Sequence, residues 1–188
     1  LHEPSNAFMY LRMTHSIFID GAAGTTGLQV ADRLARHPGV TAHALNDKER
    51  KDKGARQQLM AASDLTILCL PDAAARKAAD MAAQTGARLI DASSAHRTHA
   101  EWVYGFAELD TGQRDAVAKA MRISNPGCYP TGFLALTRPL IDAGILPRDA
   151  LLTVPAVSGF SGGGNGMIAR QANGALPRYS SYGVTWHT

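Results

Sequence analysis

Short apolar runs of strand length alternate with amphipathic stretches from the first Ile-Phe-Ile to about residue 91. Ile17, Phe18 and Ile19 end on Asp20, and the glycine-rich GAAGTTG (21–27) follows at once. Residues 28–37 place Leu28, Ala31, Leu34 and Ala35 on one helical face, and Pro38-Gly39 stops them. VTAHAL (40–45) alternates as a second strand, residues 54–62 give a short helix, and LTILCL (65–70) is a third, continuously apolar strand ended by Pro71. Asp72 can cap a helix over 73–85 that Gly86 ends, and residues 88–91 form a fourth strand. Strands alternating with helices predict a parallel sheet with right-handed crossovers, that is, an α/β, Rossmann-like domain.

The glycine run gives this domain a ligand. Gly21, Gly24 and Gly27 sit between a strand and a helix, the context of a dinucleotide-binding turn, although the spacing is G-x-x-G-x-x-G. Gly21 permits the tight turn, Gly24 lets a pyrophosphate approach the backbone, and Gly27 lets the helix pack closely. Thr25 and Thr26 can donate hydroxyls to phosphate at the positive end of the helix. After the second strand, Lys48, Arg50 and Lys51 favour the extra phosphate of NADP, while Asp47 keeps NAD open. Beyond the fourth strand, DASSAHR brings Ser93 and Ser94 towards the nicotinamide end, and Arg97 is suited to bind a phosphate or carboxylate.

Cys128 stands in SNPGCYPTG, between a Pro-Gly turn and an apolar helix expected over 131–143 from Phe133, Leu134, Leu136, Leu140 and Ile141. The unpaired N–H groups of a helix's first turn favour negative charge, which biases such a thiol towards the nucleophilic thiolate. Pro139 implies a kink or early end to that helix. Cys69, inside an apolar strand, reads as a packing residue.

Composition narrows the field. The 188 residues suffice for one domain and part of another, and 45% hydrophobic with 19% charged residues is globular. A net charge of +3 without a basic block interleaved with aromatics gives no reason to expect nucleic acid. Two distant cysteines and seven scattered histidines make neither a disulfide framework nor a metal site. No apolar stretch is long enough to span a bilayer and no signal peptide is visible, so a reducing, cytoplasmic setting is expected.

SNPGCYPTG, with GAAGTTG, CLPDAAAR, DASSAHR, WVYGFAEL and AVSGFSGGG, resembles the N-acetyl-gamma-glutamyl-phosphate reductases in their shorter, type 2 form. The resemblance runs in order from about Thr14 to Thr188. It implies an NADP-binding Rossmann domain followed by an α+β catalytic domain with subunit contacts. It also implies a homo-oligomer when full-length, N-acetyl-L-glutamyl 5-phosphate as substrate, and a place in arginine biosynthesis. Cys128 is then the nucleophile that forms a thioester, and Asn125 positions the turn or the nicotinamide carboxamide. Arg97 remains the expected substrate anchor. Aspartate-semialdehyde dehydrogenase shares the architecture and chemistry and stays open as an alternative, as does a catalytically silent nucleotide-binding or interaction module.

The expected organisation is an N-terminal extension (1–14), an NADP-binding domain (15–126) and the start of a catalytic domain (127–188) whose first strand is LLTVPAV (151–157). Met13 is a more natural start than Leu1, so the residues before it are expected to be an extension or a misread start. The stop just after a strand-like alternation at 182–188, with no closing helix, suggests a fragment. The acid/base histidine of the resembled family belongs to a segment after the YGVT-like strand, and neither His187 nor His96 is assigned that role.

Overall fold

The structure is a computed structural model that describes residues 14–177 and 179. Its frame is one parallel sheet of β1 (His15–Asp20), β2 (Val40–His43), β3 (Leu65–Leu68), β4 (Leu89–Asp91), β5 (Val103–Tyr104) and β6 (Arg122–Ser124). The strand order is β2-β1-β3-β4-β6-β5. The chain leaves β1 towards β2 on one side and returns to β3 on the other, so the winding reverses between β1 and β3. All carboxyl ends lie on one edge of the sheet, and a crevice opens where the winding reverses.

Phe18, Leu68 and Leu89, on one face of three neighbouring strands, pack with Met60 of α2 (Lys53–Ala62) and Ala78, Ala79, Met81 and Ala82 of α3 (Asp72–Thr85). Each buried Phe or Leu contributes roughly 1.5–3 kcal/mol, and the alanines let α3 approach the sheet closely. Right-handed crossovers put α1 (Thr25–Ala35), which connects β1 to β2 in the opposite direction, on the other face. Asp52 caps α2, its carboxylate accepting from the Gly54 and Ala55 N–H groups at 2.7 and 3.1 Å. Gly86, at φ +67°, ends α3 in the left-handed region.

Several expectations need correction. The inner face of α1 is Gly27, with Val30, Ala31 and Leu34 half-buried, whereas Leu28 is 59% exposed and Ala35 also faces water. The reason is steric: a Cβ on Gly27 would lie 2.3 Å from the Gly21 carbonyl oxygen, so Gly27 must face the turn and fixes the phase of the helix. Asp72 is the first residue of α3 and caps nothing; its carboxylate accepts from the Ser94 N–H and hydroxyl at 3.1 and 2.7 Å. The expected strand over 151–157 does not form. None of the described strands pairs with it, Leu151 and Val157 are exposed, and Pro155 lacks an N–H for a ladder.

β5, α4 (Gln113–Lys119) and β6 were not foreseen, being too short for a hydrophobic period to show. Arg88 ties this region to β4, donating from Nε to the Ala120 carbonyl and from Nη2 to those of Val117 and Ala118. α5 (Cys128–Asp142) begins three residues before the expected start and continues three residues past Pro139. No residue of α5 is buried, and Phe133, Leu136 and Leu140 are exposed. A 3-10 turn (Phe160–Gly163) leads into α6 (Gly164–Ala172), also unforeseen. No helix among the described residues is long and apolar enough to cross a membrane. Residues 1–13 of the expected extension, and the terminal strand-like stretch with His187, lie outside the described residues.

Candidate active site

The crevice between β1 and β3 is a cleft of about 220 Å³. Its floor is Asp20 and the 21–24 turn, and Leu45, Asp47, Arg50 and the Cys69–Pro71 segment complete its walls. Gly21 adopts φ +96°, and a Cβ there would lie 2.3 Å from the Cys69 carbonyl oxygen, so backbone conformation and neighbour both require glycine. Gly24 differs. It is the N-cap of α1 at φ −78°, and a Cβ would meet the Gly21 and Cys69 carbonyl oxygens at 3.5 and 3.9 Å, ordinary contacts. The fold has no steric need for glycine there, whereas a ligand close to the backbone would. Thr25 and Thr26 open α1, and a Cβ on Gly164 of the SGGGNG loop would lie 3.8 Å from the Thr25 hydroxyl oxygen. Below the turn, Arg56 donates from Nε and Nη2 to the buried Asp20 carboxylate at 3.2 and 2.6 Å.

Of the three cations expected beside the ribose, Arg50 lines the cleft and its Nε lies 2.9 Å from Asp47 Oδ1. Lys48 and Lys51 are exposed on the same turn and are not part of the cleft wall. Asn46 sets this turn by accepting from the Lys48 and Glu49 N–H groups, both at 3.0 Å.

The nucleophile candidate stands on the same edge of the sheet. β6 runs parallel to β4, so the Asn125-Pro126-Gly127 turn that follows it brings Cys128 to the carboxyl-end side as the exposed first residue of α5. Thr131 braces the turn, its N–H and hydroxyl both donating to the Gly127 carbonyl. Asn125 donates its backbone N–H to the Asp91 carbonyl and its side-chain amide to the Pro126 carbonyl at 3.2 Å, while remaining exposed. Arg97 arrives from the loop after β4, and its guanidinium packs on Gly127: a Cβ there would lie 2.9 Å from Arg97 Nη1. The buried Arg97 Nε has no hydrogen-bond partner. The structure thus brings Arg97 onto the turn that carries Asn125 and Cys128.

Ser93 and Ser94 lie on the Arg97 loop, but both hydroxyls are spent on the protein. Ser93 donates to Asp91 and Ser94 to Asp72. Whereas Cys128 is exposed, Cys69 is half-buried. Burial first, and then the Asp20 and Asp91 carboxylates, push its thiol up to about 11, which keeps it protonated and inert at neutral pH.

Three features escaped sequence reasoning because burial and side-chain direction, which no local period reveals, bring their members together. They are the Asp20–Arg56 pair under the glycine turn, the buried Asp91–His96 pair, and Tyr104 near Arg97. Burial raises the Tyr104 phenol above its ordinary range, and the Arg97 charge opposes that shift. Among the described residues no group of three or more His, Cys, Asp or Glu side chains could hold a metal ion.

A dinucleotide fits this chain on structural grounds: a tight glycine turn, a helix N-terminus and a crevice lie together at the point where the winding reverses.

Comparison with known proteins bears on the rest. The family profile described as "Semialdehyde dehydrogenase, NAD binding domain" matches residues 16–120, and "Semialdehyde dehydrogenase, dimerisation domain" matches 128–188. Curated N-acetyl-gamma-glutamyl-phosphate reductases from Brucella anthropi and Brucella ovis are each 48% identical over 168 residues, covering 89% of this chain and 54% of their own length. The chain therefore spans about half the length of these relatives. Among solved structures, Vibrio cholerae aspartate semialdehyde dehydrogenase II superposes with a TM-score of 0.60 at 18% identity, over 89% of this chain and 55% of that one. The Candida albicans aspartate semialdehyde dehydrogenase crystallised with NADP gives 0.55 at 14% identity, over 71% and 48%. These two likenesses concern the fold. With both family profiles matched in chain order over the same doubly wound sheet and the segment that follows it, the chain belongs to the semialdehyde dehydrogenase family.

Proposed function

We propose that this chain carries the cofactor domain and nucleophile of an NADPH-dependent N-acetyl-gamma-glutamyl-phosphate reductase, which serves arginine biosynthesis in the cytoplasm. The observation that carries the reading is a convergence. The glycine turn after β1 and the Cys128 turn after β6 open on the same edge of one parallel sheet, and Arg97 packs on the second turn. The 48% identity to curated reductases supports this substrate over the aspartate-semialdehyde dehydrogenase alternative, for which the likeness is one of fold at 18% identity.

Cys128 Sγ attacks the acyl carbonyl of N-acetyl-L-glutamyl 5-phosphate. The C–S bond forms, the C–O bond to phosphate breaks, and phosphate leaves with the bonding pair. Arg97 neutralises an anionic group of the substrate, and Asn125 fixes the edge of the turn. The amide groups at the start of α5 face the developing oxyanion, with Pro130 contributing none because it lacks an N–H. NADPH, held at the glycine turn, would supply the hydride that reduces the thioester. Cys128 is then expelled as the semialdehyde is released. The residues proposed to hold the dinucleotide are Gly21, Gly24, Gly27, Thr25 and Thr26 at the pyrophosphate, Arg50 with Lys48 and Lys51 towards the 2′-phosphate, and the backbone carbonyls of Ser93 and Ser94 towards the nicotinamide, since their N–H groups are held by Asp91 and Asp72. The functional unit is a homo-oligomer, for which the exposed Phe133, Leu136 and Leu140 provide an apolar face.

The test is substrate-dependent NADPH oxidation by the protein extended to the length of its relatives. Cys128→Ser is expected to abolish turnover and leave NADPH binding intact. Parent-like turnover in that variant overturns the assignment, and NADPH binding without turnover in the parent supports the silent module instead.

A further inference from the structure

Arg97 packs from its own loop on the turn that carries Cys128, and one buried residue ties both loops to the sheet. Asp91 closes β4 with no solvent exposure. Its carbonyl accepts the Asn125 N–H at 2.8 Å, which anchors the Cys128 turn. Its carboxylate anchors the Arg97 loop: Oδ1 accepts the Ser93 N–H at 2.9 Å, and Oδ2 accepts the Ser93 hydroxyl at 2.8 Å and lies 2.6 Å from His96 Nδ1. With a carboxylate as acceptor, Nδ1 is the donor, which fixes the tautomer and ring plane. The buried His96 ring also stacks on Trp102, with centroids 4.1 Å apart and planes 10° from parallel, and meets His99 edge-on. Trp102 belongs to the main hydrophobic core, so the imidazole is clamped between the sheet's end and the core.

Arg97 is the next residue. Its guanidinium lies on Gly127 and its buried Nε has no partner, so no hydrogen bond made by Nε holds this arm in place. The loop backbone is held by Ser94 on Asp72, by Arg76 on the Ala95 carbonyl at 2.9 Å and by the Arg97 N–H on the Ser94 carbonyl at 3.4 Å. His96 is the side chain that ties the residue before Arg97 to the sheet's end and the core.

We propose that His96 is a positioning residue: held by Asp91 and Trp102, it keeps the Arg97 guanidinium against Gly127, beside the Cys128 thiol. The proposal rests on the reading of Cys128 as nucleophile and Arg97 as its anion contact, and it assigns His96 no proton transfer.

The experiment uses the 188-residue chain, without substrate or cofactor. Cys128 is alkylated with iodoacetate, an anion, and separately with iodoacetamide, a neutral probe of similar size. The two rates are read at the Cys128 peptide by mass spectrometry. Their ratio reports positive charge beside the thiol, whereas loosening of the fold changes both rates together. Arg97→Gln is expected to lower the ratio by roughly three- to tenfold, the effect of one nearby charge at a surface. His96→Phe keeps the stack on Trp102 but loses the bond to Asp91, and should lower the ratio equally although Arg97 is present. His96→Asn, whose amide can donate from about the position of Nδ1, should restore the parent ratio. If His96→Phe does not fold, His96→Gln, which displaces the donor by one methylene, carries the same expectation. A folded His96→Phe or His96→Gln chain with the parent ratio overturns the proposal, as does an unchanged ratio in Arg97→Gln. Because the readout involves no turnover, absence of reductase activity would refute the proposed function and leave this result standing.

Discussion

Three glycines of one turn should respond differently to the same added methyl group. In Gly21→Ala the new Cβ would sit 2.3 Å from the Cys69 carbonyl oxygen, on a backbone at φ +96°. Left-handed backbone costs an L-residue roughly 1–2 kcal/mol, and overpacking against backbone costs roughly 1–3 kcal/mol more. A total of about 2–5 kcal/mol corresponds to a Tm drop on the order of 10 °C for a chain of this size. Gly27→Ala lacks the φ penalty but meets the Gly21 carbonyl at 2.3 Å and Ala22 Cα at 2.7 Å, so it should lose about 1–3 kcal/mol. In Gly24→Ala the methyl makes an ordinary 3.5 Å contact. A gain of about 0.4–1 kcal/mol from the less flexible unfolded chain nearly offsets a similar loss at the N-cap, about 0.5–1 kcal/mol. Its Tm should barely move. If a pyrophosphate lies against this turn, however, that methyl occupies its place, and NADPH affinity should fall by at least about tenfold, or 1.4 kcal/mol. Thermal denaturation and calorimetry on the three variants separate the effects. A Gly24→Ala chain that binds NADPH as tightly as the parent refutes the turn as the phosphate cradle.

The remaining expectations concern charge and thiols. NADPH should bind more tightly than NADH, with the preference shrinking at high salt and in Arg50→Ala; equal calorimetric affinities for both cofactors in the parent would count against Arg50, Lys48 and Lys51 as phosphate ligands. Arg56→Met leaves the buried Asp20 carboxylate unpaired and should cost about 3–5 kcal/mol by urea denaturation, so a loss below about 1 kcal/mol would show that Asp20 finds another partner. The Cys69 thiol is harder to ionise folded, at about 11, than at its ordinary 9.0, so the folded state holds that proton more tightly. Its contribution to stability is complete below pH 9.0 and is lost as pH rises through about 11. Melting in that window should flatten in Cys69→Ala, and an identical slope in parent and variant would argue against the half-buried, anion-flanked setting.

The doubly wound half was legible because its signals are local. Ile17 to Asp20, the glycine turn, the Leu65 run and the alanine-rich stretch ended by Gly86 each declare an element within a few residues. Errors arose where a contact outside the element decided the outcome. Leu28 lies on the expected apolar face of α1, yet the turn's own backbone at Gly21 and Ala22 determines which residue must face inwards, and that residue is Gly27. Asp72 has the chemistry of a cap but serves Ser94, 22 residues away. LLTVPAV has strand composition, but composition cannot supply a pairing partner. In the site, Cys128 and Arg97 were visible as chemical types in telling positions. The Asp91–His96–Trp102 clamp was not, because a histidine among seven gives no sign of burial until the fold stacks it on a tryptophan.

The central claim is that Cys128 accepts an acyl group from an acyl phosphate, and intact-protein mass spectrometry tests it most directly. The chain is incubated with N-acetyl-L-glutamyl 5-phosphate without NADPH, quenched in acid to preserve thioesters, and digested to locate the adduct, with released phosphate measured in parallel. The account predicts one acyl group on the Cys128 peptide, none on Cys69, phosphate release in equal amount, loss of the adduct on hydroxylamine treatment, and no adduct in Cys128→Ser. An unmodified Cys128 in a folded chain that binds NADPH, or an equal adduct in Cys128→Ser, would contradict it.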